Sequence, residues 1–189
     1  MWEHKQIIGQ GFVGSAIREG LKNFYKVRTY DIDEEKCNST HQEVCYKSDI
    51  IFVCVPTPMR KSGECDIRIL ESVIEKINNE CKSDKNRNRP TLVIKSTIPP
   101  GTTKKLSKIA NILGVCFSPE FLTEANSFED FKNQTRIILG GDPASRCSGA
   151  KKVKQMFRKP FPKIPIIITK WETAEMVKYF TNCFLATKV

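Results

Sequence analysis

Apolar residues along this chain follow two patterns: short continuous runs, and longer stretches in which they recur at helical spacing. Residues 49–55, with the sequence DIIFVCV, form a continuous run, which is typical of a strand buried on both faces of a parallel sheet. Asp66 can cap a helix that continues to about Cys81. The apolar face predicted for that helix consists of Ile67, Leu70, Ile74 and Ile77. Strands and helices are therefore expected to alternate.

The same patterns predict the other elements. Strands are predicted at residues 6–8, 26–30, 91–95, 115–117, 135–139 and 164–168. Helices are predicted at residues 12–23, from Pro99-Pro100-Gly101 to about 113, at 143–158, and from Trp171 to the last residue. Thr169 and Glu172 form a T-x-x-E capping box for this last helix. The alternation indicates an α/β fold in which helices cover both faces of a mostly parallel sheet.

Composition limits the class of protein. Hydrophobic residues make up 40% of the chain and charged residues 28%, and no run approaches the ~18 apolar residues that a membrane helix needs. The first residues lack the apolar segment of a signal peptide, so we expect a cytoplasmic protein without membrane association. The eight cysteines include no C-x-x-C pair, and there are two histidines, so the sequence predicts reduced thiols and no metal site.

The formal net charge of +10 raises the question of a nucleic-acid partner. Basic residues cluster at 82–89 and 151–159, but aromatic residues are not interleaved with them as they are in a single-strand binding groove. Solvated surface charge is therefore favoured over nucleic-acid binding. A positive potential would still attract an anionic dinucleotide or nucleotide sugar.

A dinucleotide-binding fingerprint follows the first predicted strand. Residues 9–14 read G-Q-G-F-V-G, and an acidic residue ends the second strand about 20 residues later. Gly9 permits the tight turn, Gly11 lets the backbone approach a pyrophosphate at the helix N-terminus, and Gly14 allows close packing. The predicted cofactor-binding residues are Gly9, Gly11, Phe12, Val13, Gly14 and Asp31. The pattern favours a doubly wound fold of the Rossmann type.

The carboxylate of Asp31 would accept hydrogen bonds from the adenosine ribose and repel a 2′-phosphate, which favours NAD over NADP. Arg28 and Lys36 leave the second dinucleotide open, since either could hold that phosphate. Lys36 is accordingly included among the predicted cofactor-binding residues.

Further motifs follow the later strands. They are V-P-T-P at 55–58, S-T-I-P-P-G-T-T at 96–103, S-P-E-F-L-T-E at 118–124, R-I-I-L-G-G at 136–141 and E-M-V-K-Y-F-T-N-C-F-L-A at 175–186. In this order and spacing, over nearly the whole chain, the sequence resembles the UDP-glucose/GDP-mannose dehydrogenase family. The resemblance implies an NAD-binding domain at residues 1–168, followed at 169–189 by the start of the central helix through which family members form homodimers. That helix has no stop signal, so a longer natural chain is expected.

The resemblance also implies roles for individual residues in the NAD-dependent, two-step oxidation of a nucleotide sugar at C6. Glu120 would be the general base that activates water. Lys178 and Asn182, which share a helix face, would stabilise the oxyanion that develops at C6. The expected cofactor contacts are Val55, Pro56, Thr57, Thr97 and Glu124, with Thr97 also holding a water or the reacting oxygen. The expected substrate contacts are Glu120, Phe121, Leu122, Glu124, Lys178 and Asn182.

Taken without the family, the same residues have simpler interpretations. The V-P-T-P segment can be a rigid turn, and Thr97 can be a helix cap. Glu120 and Glu124 can be surface carboxylates. The pair on the last helix can belong to a solvated stripe in which Glu175 pairs with Lys178.

The sequence departs from the family pattern in places. The family's nucleophilic cysteine lies in a G-F-G-G-x-C segment, and none of the eight cysteines has that context. The chain is therefore expected to bind the cofactor without completing turnover. Only residues 32–47 separate Asp31 from Ser48, where the family carries a longer stretch. We expect oxidation of UDP-glucose; oxidation of GDP-mannose and a non-catalytic NAD-binding module are the alternatives.

Overall fold

The computed structural model describes residues 4–46, 48–83, 89–141 and 149–188. Within these ranges one sheet has the strand order β2-β1-β3-β4-β5-β6-β7. Its strands are β1 (His4–Ile8), β2 (Lys26–Tyr30), β3 (Ile50–Val53), β4 (Thr91–Ile94), β5 (Gly114–Phe117), β6 (Ile137–Gly140) and β7 (Ile166–Thr169). All neighbouring strands are parallel except β5 and β6, which are antiparallel.

Helices cover both faces of the sheet, which confirms the predicted doubly wound α/β fold. The helices are α1 (Phe12–Leu21), α2 (His41–Tyr46), α3 (Arg68–Ser83), α4 (Thr102–Ile109), α5 (Ser127–Lys132), α6 (Gly149–Arg158) and α7 (Trp171–Lys188), and a 3-10 turn spans Glu34–Lys36. One hydrophobic cluster contains residues of α2, α3, α4 and α7, and the other contains residues of α1, α5 and α6. No helix in the described ranges has the length and apolar character to cross a membrane.

The central strands show why their sequences are continuously apolar. Every residue of β3 is buried, and its side chains alternate between the two clusters. Ile51 and Val53 pack into the cluster of α3 and α4, whereas Ile50 and Phe52 pack into that of α1 and α6. Both faces of the strand therefore require apolar side chains.

Several predicted boundaries are wrong. The first strand begins at His4, two residues earlier than predicted, because Lys5 and Gln6 are buried in the sheet despite their polar side chains. The helix after β4 starts only at Thr102, so the prolines precede it, and it ends at Ile109. The described helix α6 starts at Gly149. Residues 143–148 of the predicted helix, like residues 84–88 of the first basic cluster, lie outside the described residues.

The predicted capping box is also wrong. Thr169 is the last residue of β7, and its carbonyl accepts a hydrogen bond from Gly141 N. The carbonyl of Lys170 accepts the first helical bond, from Ala174 N, so the capping position of α7 belongs to Lys170. Thr169 therefore lies one residue before the capping position.

Candidate active site

A cleft of about 400 Å³ lies at the edge of the sheet where β1, β3 and β4 end. Its lining consists of Gly9, Gly11, Phe12, Val13, Asp31, Cys54, Val55, Pro56, Thr57, Lys95, Ser96, Thr97 and Glu120. The carboxyl edge is where doubly wound sheets bind ligands. The structure thus brings together most of the predicted cofactor-binding residues and two of the predicted catalytic ones, Thr97 and Glu120.

The glycine-rich turn is packed too tightly for side chains at two positions. Gly9 has φ +92°, and a Cβ there would lie 2.5 Å from the carbonyl oxygen of Cys54. A Cβ on Gly14 would lie 1.9 Å from the carbonyl oxygen of Gly9. The first turn of α1 is therefore held directly against the end of β1, as the fingerprint predicts.

The N-terminus of α1 fits an anion. Its capping residue, Gly11, supplies no side-chain cap, and the first turn carries no acidic residue. A Cβ on Gly11 would meet nothing within 4 Å, so the backbone borders open space in the cleft. Unsatisfied N–H groups at the positive end of the helix dipole are what a pyrophosphate requires.

Asp31 closes the end of the cleft next to β2. Its Oδ2 accepts a hydrogen bond from Gln10 N at 2.5 Å, and its Oδ1 accepts one from Asp33 N at 3.0 Å. Lys36 lies outside the cleft, with its Nζ 2.9 Å from Asp33 Oδ2. Arg28 is directed towards His4, with 3.3 Å between Nη1 and Nδ1. Neither basic side chain lines the wall that Asp31 forms.

The loops after β3 and β4 are tied together by hydroxyl groups. Ser96 Oγ donates to the carbonyl of Val55 at 2.6 Å, and Thr57 Oγ1 donates to the carbonyl of Thr97 at 2.6 Å. Because both loops line the cleft, these bonds fix the shape of its wall. The carbonyl of Val55 is thereby satisfied without a ligand.

Glu120 and Lys178 form a buried ion pair beside the cleft. Lys178 Nζ lies 2.8 Å from Glu120 Oε1 and also donates to the carbonyl of Glu120 at 2.9 Å. The two side chains are 8% and 7% exposed, so the pair is almost fully withdrawn from water. Glu120 Oε2 is buried and has no hydrogen-bond partner within the described structure. One carboxylate oxygen is thus held in place, while the other has no donor in the described structure.

Lys95 is a second lysine beside Glu120, and the sequence patterns did not identify it as a site residue. It lines the cleft together with Glu120, and its Nζ donates to Ser118 Oγ at 3.4 Å. Burial lowers the pKa of Lys95, and the charge of Glu120 opposes that shift. Lys95 follows β4 and directly precedes Ser96, the first residue of the S-T-I-P-P-G-T-T motif. Its place at a strand end was the sequence signal that could have identified it.

Glu175 does not pair with Lys178, contrary to the simpler interpretation of the last helix. Its carboxylate is fully buried and accepts hydrogen bonds from Gly101 N and Thr103 N, both at 2.6 Å. It therefore caps the N-terminus of α4, where the helix dipole favours a negative charge. This contact docks α7 onto α4 and places Lys178, one turn further on, against Glu120.

Other predicted site residues lie outside the cleft. Glu124 and Asn182 are exposed. Phe121 and Leu122 line an adjoining cavity of about 220 Å³, which shares Lys95 and Glu120 with the cleft. The guanidinium carbon of Arg136 lies 4.8 Å from the centroid of the Phe121 ring.

The thiol that lines the cleft is unsuited to act as a nucleophile. Burial raises the pKa of Cys54 to about 12, so its thiolate is absent at neutral pH. The exposed thiol of Cys183 follows Asn182 on α7. The nucleophilic cysteine that the family resemblance implies is therefore not supplied by Cys54.

Comparisons with known proteins agree with this geometry. The model of the UDP-glucose/GDP-mannose dehydrogenase family, NAD binding domain, matches residues 36–160. The chain is 34% identical over 215 aligned positions to the uncharacterised protein MJ1054 of Methanocaldococcus jannaschii, covering 97% of this chain and 24% of that protein. It is 30% identical over 184 positions to a UDP-glucose 6-dehydrogenase of Rickettsia conorii, covering 92% of this chain and 39% of that protein.

The fold matches solved structures as well. A UDP-glucose dehydrogenase from Pyrobaculum islandicum superposes with a TM-score of 0.85 at 24% sequence identity, covering 100% of this chain and 51% of that one. The chain thus spans less than half the length of the curated relatives it matches.

Proposed function

Since the chain belongs to the UDP-glucose/GDP-mannose dehydrogenase family and carries its NAD-binding domain, we propose that it serves a nucleotide-sugar 6-dehydrogenase that oxidises UDP-glucose to UDP-glucuronate. The proposal of UDP-glucose is supported by relatives with that name at 30% and 36% identity. The proposal of chemistry beyond cofactor binding is supported by the buried Glu120–Lys178 pair, which an NAD-binding module has no need to keep.

The cleft provides matching positions for the parts of the cofactor. The N-terminus of α1 would hold the pyrophosphate, and Asp31 would accept hydrogen bonds from the adenosine ribose. Val55, Pro56 and Thr57 would line the nicotinamide ribose. When bound there, NAD supplies the hydride acceptor for oxidation at C6.

The partnerless oxygen of Glu120 is the observation that carries the catalytic proposal. Lys178 holds Oε1 at 2.8 Å, which fixes the carboxylate, while Oε2 is buried with no hydrogen-bond donor among the described residues. A buried acceptor without a donor is costly unless water or substrate supplies one. In this proposal Oε2 accepts a proton from a water molecule that attacks at C6.

Lys178 has two tasks in this scheme. Its ammonium neutralises Glu120, and it would also stabilise the negative charge that develops on the oxygen at C6. Asn182, one turn further along the exposed end of α7, would donate to the same oxygen once substrate covers the helix. None of the eight cysteines lies in the G-F-G-G-x-C context of the family's nucleophile. In this proposal, turnover therefore needs a thiol from another segment.

Calorimetric titration with NAD tests the cofactor site. We expect Asp31→Ala to weaken NAD affinity about tenfold, because a charged hydrogen bond is lost. The neighbouring Asp33→Ala, which removes a carboxylate paired with Lys36, should bind NAD as the unaltered chain does. Asp31→Ala should lose less affinity for NADP than for NAD, because the repulsion of the 2′-phosphate is relieved. An equal loss for both dinucleotides would indicate damage to the turn and count against the proposed role of Asp31.

The choice of sugar nucleotide is tested by titrating the NAD-saturated chain with UDP-glucose and with GDP-mannose. Tighter binding of UDP-glucose supports the proposal. Tighter binding of GDP-mannose would reassign the substrate. Binding of NAD without either nucleotide sugar would leave a cofactor module and overturn the proposed substrate site in this chain.

The proposal also includes a homodimer formed through α7. Exposed apolar side chains follow one another along this helix: Met176, Phe180, Phe184 and Leu185. An apolar surface of this kind is typical of an interaction site. We expect light scattering to show concentration-dependent self-association that Phe180→Glu weakens, whereas Thr187→Glu, on an exposed polar position of the same helix, does not. If the chain stays monomeric at all concentrations, the proposed homodimer through α7 is wrong.

A further inference from the structure

Outside the cleft, three side chains with metal-binding chemistry converge between α2 and α3. His41 and Cys45 lie one helical turn apart on α2, and Glu80 comes from α3. The Nδ1 atom of His41 lies 3.0 and 3.1 Å from the two carboxylate oxygens of Glu80 and 3.8 Å from Cys45 Sγ. One ligand atom from each residue lies within 4.8 Å of the other two. None of the three lines the cofactor cleft.

These separations are close to those of a tetrahedral zinc site. Zinc binds nitrogen at about 2.0–2.1 Å, oxygen at about 2.0–2.2 Å and thiolate sulfur at about 2.3 Å. Tetrahedral angles then put the nitrogen about 3.4 Å from the oxygen and about 3.6 Å from the sulfur. The observed nitrogen–oxygen and nitrogen–sulfur separations differ from these values by a few tenths of an ångström, and the sulfur lies within 4.8 Å of the carboxylate, against about 3.6 Å in a tetrahedral site. Rotation of the carboxylate alone would change the nitrogen–oxygen distance by this much.

The surroundings favour a ligand set over a simple ion pair. An ion pair between His41 and Glu80 does not need a third group, yet a fully buried thiol faces the same imidazole nitrogen. The side chains of His41 and Glu80 are 9% and 24% exposed, so a cation can enter from the side of Glu80.

We propose that His41, Cys45 and Glu80 bind a zinc ion, with water as the fourth ligand. The mixed nitrogen, sulfur and oxygen donor set suits Zn²⁺ better than Mg²⁺ or Ca²⁺, which take oxygen ligands. This departs from the sequence-based expectation of no metal site. The H-x-x-x-C spacing places two ligands on one helix face, but Glu80 joins them only through the packing of α2 on α3.

The site is connected to the cofactor cleft through one aromatic contact. The ring of Tyr30 meets the ring of His41 edge-on, with 4.9 Å between centroids and 84° between planes. Tyr30 is the last residue of β2 and directly precedes Asp31. A metal that fixes His41 would therefore also fix the strand end that carries Asp31. This inference stands whether or not the proposed oxidation of UDP-glucose is correct.

Titration of the EDTA-treated chain with Co²⁺, followed by displacement with Zn²⁺, tests the site. Co²⁺ bound through a thiolate gives a sulfur-to-metal charge-transfer band that surface carboxylates do not produce. We expect a band that saturates at one ion per chain and disappears when Zn²⁺ is added. Zn²⁺ should also raise the midpoint of thermal unfolding, because it binds the folded state.

Variants separate this site from other ligands on the chain. Cys45→Ser should abolish the band, and His41→Gln and Glu80→Gln should each weaken Co²⁺ binding by about 100-fold or more. Cys183→Ser removes an exposed thiol, and Glu75→Gln removes an exposed carboxylate of α3. Both variants should leave the charge-transfer band and the Co²⁺ affinity unchanged. Glu80 lies at the rim, so Glu80→Gln stays informative if Cys45→Ser fails to fold.

The proposal is overturned if the folded chain gives no thiolate band, if Cys183→Ser removes the band, or if Glu80→Gln binds Co²⁺ as tightly as the unaltered chain. NAD titration with and without Zn²⁺ is a separate readout. Tighter NAD binding with Zn²⁺ that Cys45→Ser abolishes would support the connection through Tyr30.

Discussion

Three lysines of the described chain are buried: Lys5 in β1, Lys95 at the end of β4 and Lys178 in α7. Lys95 and Lys178 both lie next to Glu120, the proposed general base. Buried charges of this kind cost stability and are concentrated at functional sites. Lys5 is different, because it lies towards the amino ends of the strands, over the ring of Tyr25 at 4.5 Å.

The cost of burying Lys5 should depend on pH. Its pKa is lowered from 10.5 to about 8, chiefly by burial, while Asp49 opposes the shift. The unfolded chain therefore holds more protons than the folded chain between about pH 8 and 10.5, and stability rises with pH across that window. Below pH 8 the full penalty is present. We expect Lys5→Met to stabilise the fold by about 1 kcal/mol at pH 7 and by less at pH 10.

Urea denaturation at pH 7 and pH 10 measures this difference. Lys26→Met, which removes an exposed lysine at the start of the neighbouring strand, is the control and should have little effect at either pH. A stabilisation by Lys5→Met that is the same at both pH values would show that packing, and not the buried charge, is responsible.

At the level of elements, the docking of α7 on α4 depends on one carboxylate. Glu175 accepts two backbone hydrogen bonds at the N-terminus of α4, in a fully buried setting. Glu175→Gln keeps the shape but places an amide group against N–H donors. We expect it to lower the free energy of unfolding by about 1–2 kcal/mol. Because Lys178 follows on the same helix, its contact with Glu120 should loosen too.

Chemical denaturation and the affinity for nucleotide sugar measure the two effects of Glu175→Gln. Glu172→Gln, at the first turn of α7, is the matched control. It should change the free energy of unfolding and the affinity for nucleotide sugar much less. If Glu175→Gln retains full stability, the two short hydrogen bonds contribute nothing net and α7 is held by its apolar contacts alone.

The sequence patterns predicted elements well where the signal is local. The glycine-rich turn, the apolar runs of β3 and β4 and the apolar face of α3 each occupy adjacent residues whose spacing determines their environment. The helices α2 and α5 were not predicted, because each has six residues and too few apolar positions to show a period. The role of Glu175 was mispredicted, because its partners lie 72 and 74 residues away.

The sequence also could not predict that β6 runs antiparallel to β5, because an apolar run such as I-I-L-G occurs in both parallel and antiparallel strands. For the site, the strand-end motifs predicted which residues meet at the cleft. They could not show that Lys178 pairs with Glu120 or that Lys95 joins them, because these contacts depend on how α7 and β4 approach the same loop.

At the scale of the whole molecule, the sheet consists of two parts that meet at a narrow seam. Strands β2, β1, β3, β4 and β5 form a parallel block in which each neighbouring pair is matched over four or five residues. The antiparallel contact between β5 and β6 has a single matched pair, Phe117 with Gly140. The cofactor cleft belongs to the first block, whereas Lys178 reaches Glu120 from α7, which packs on β6. The proposed catalytic pair therefore bridges the seam.

A seam with so few ladder hydrogen bonds should open before the blocks themselves do. We expect native-state hydrogen exchange to show lower opening free energies for β6 and β7 than for β3 and β4. Bound NAD should add protection to β1, β3 and β4 and leave β6 and β7 nearly unchanged, because its proposed contacts lie in the first block. Asp31→Ala should remove the added protection at the same NAD concentration. Equal opening free energies in all strands would mean that the apolar packing of α6 and α7 across the seam outweighs the missing ladder, so that Glu120 and Lys178 are held together as rigidly as any pair within one block.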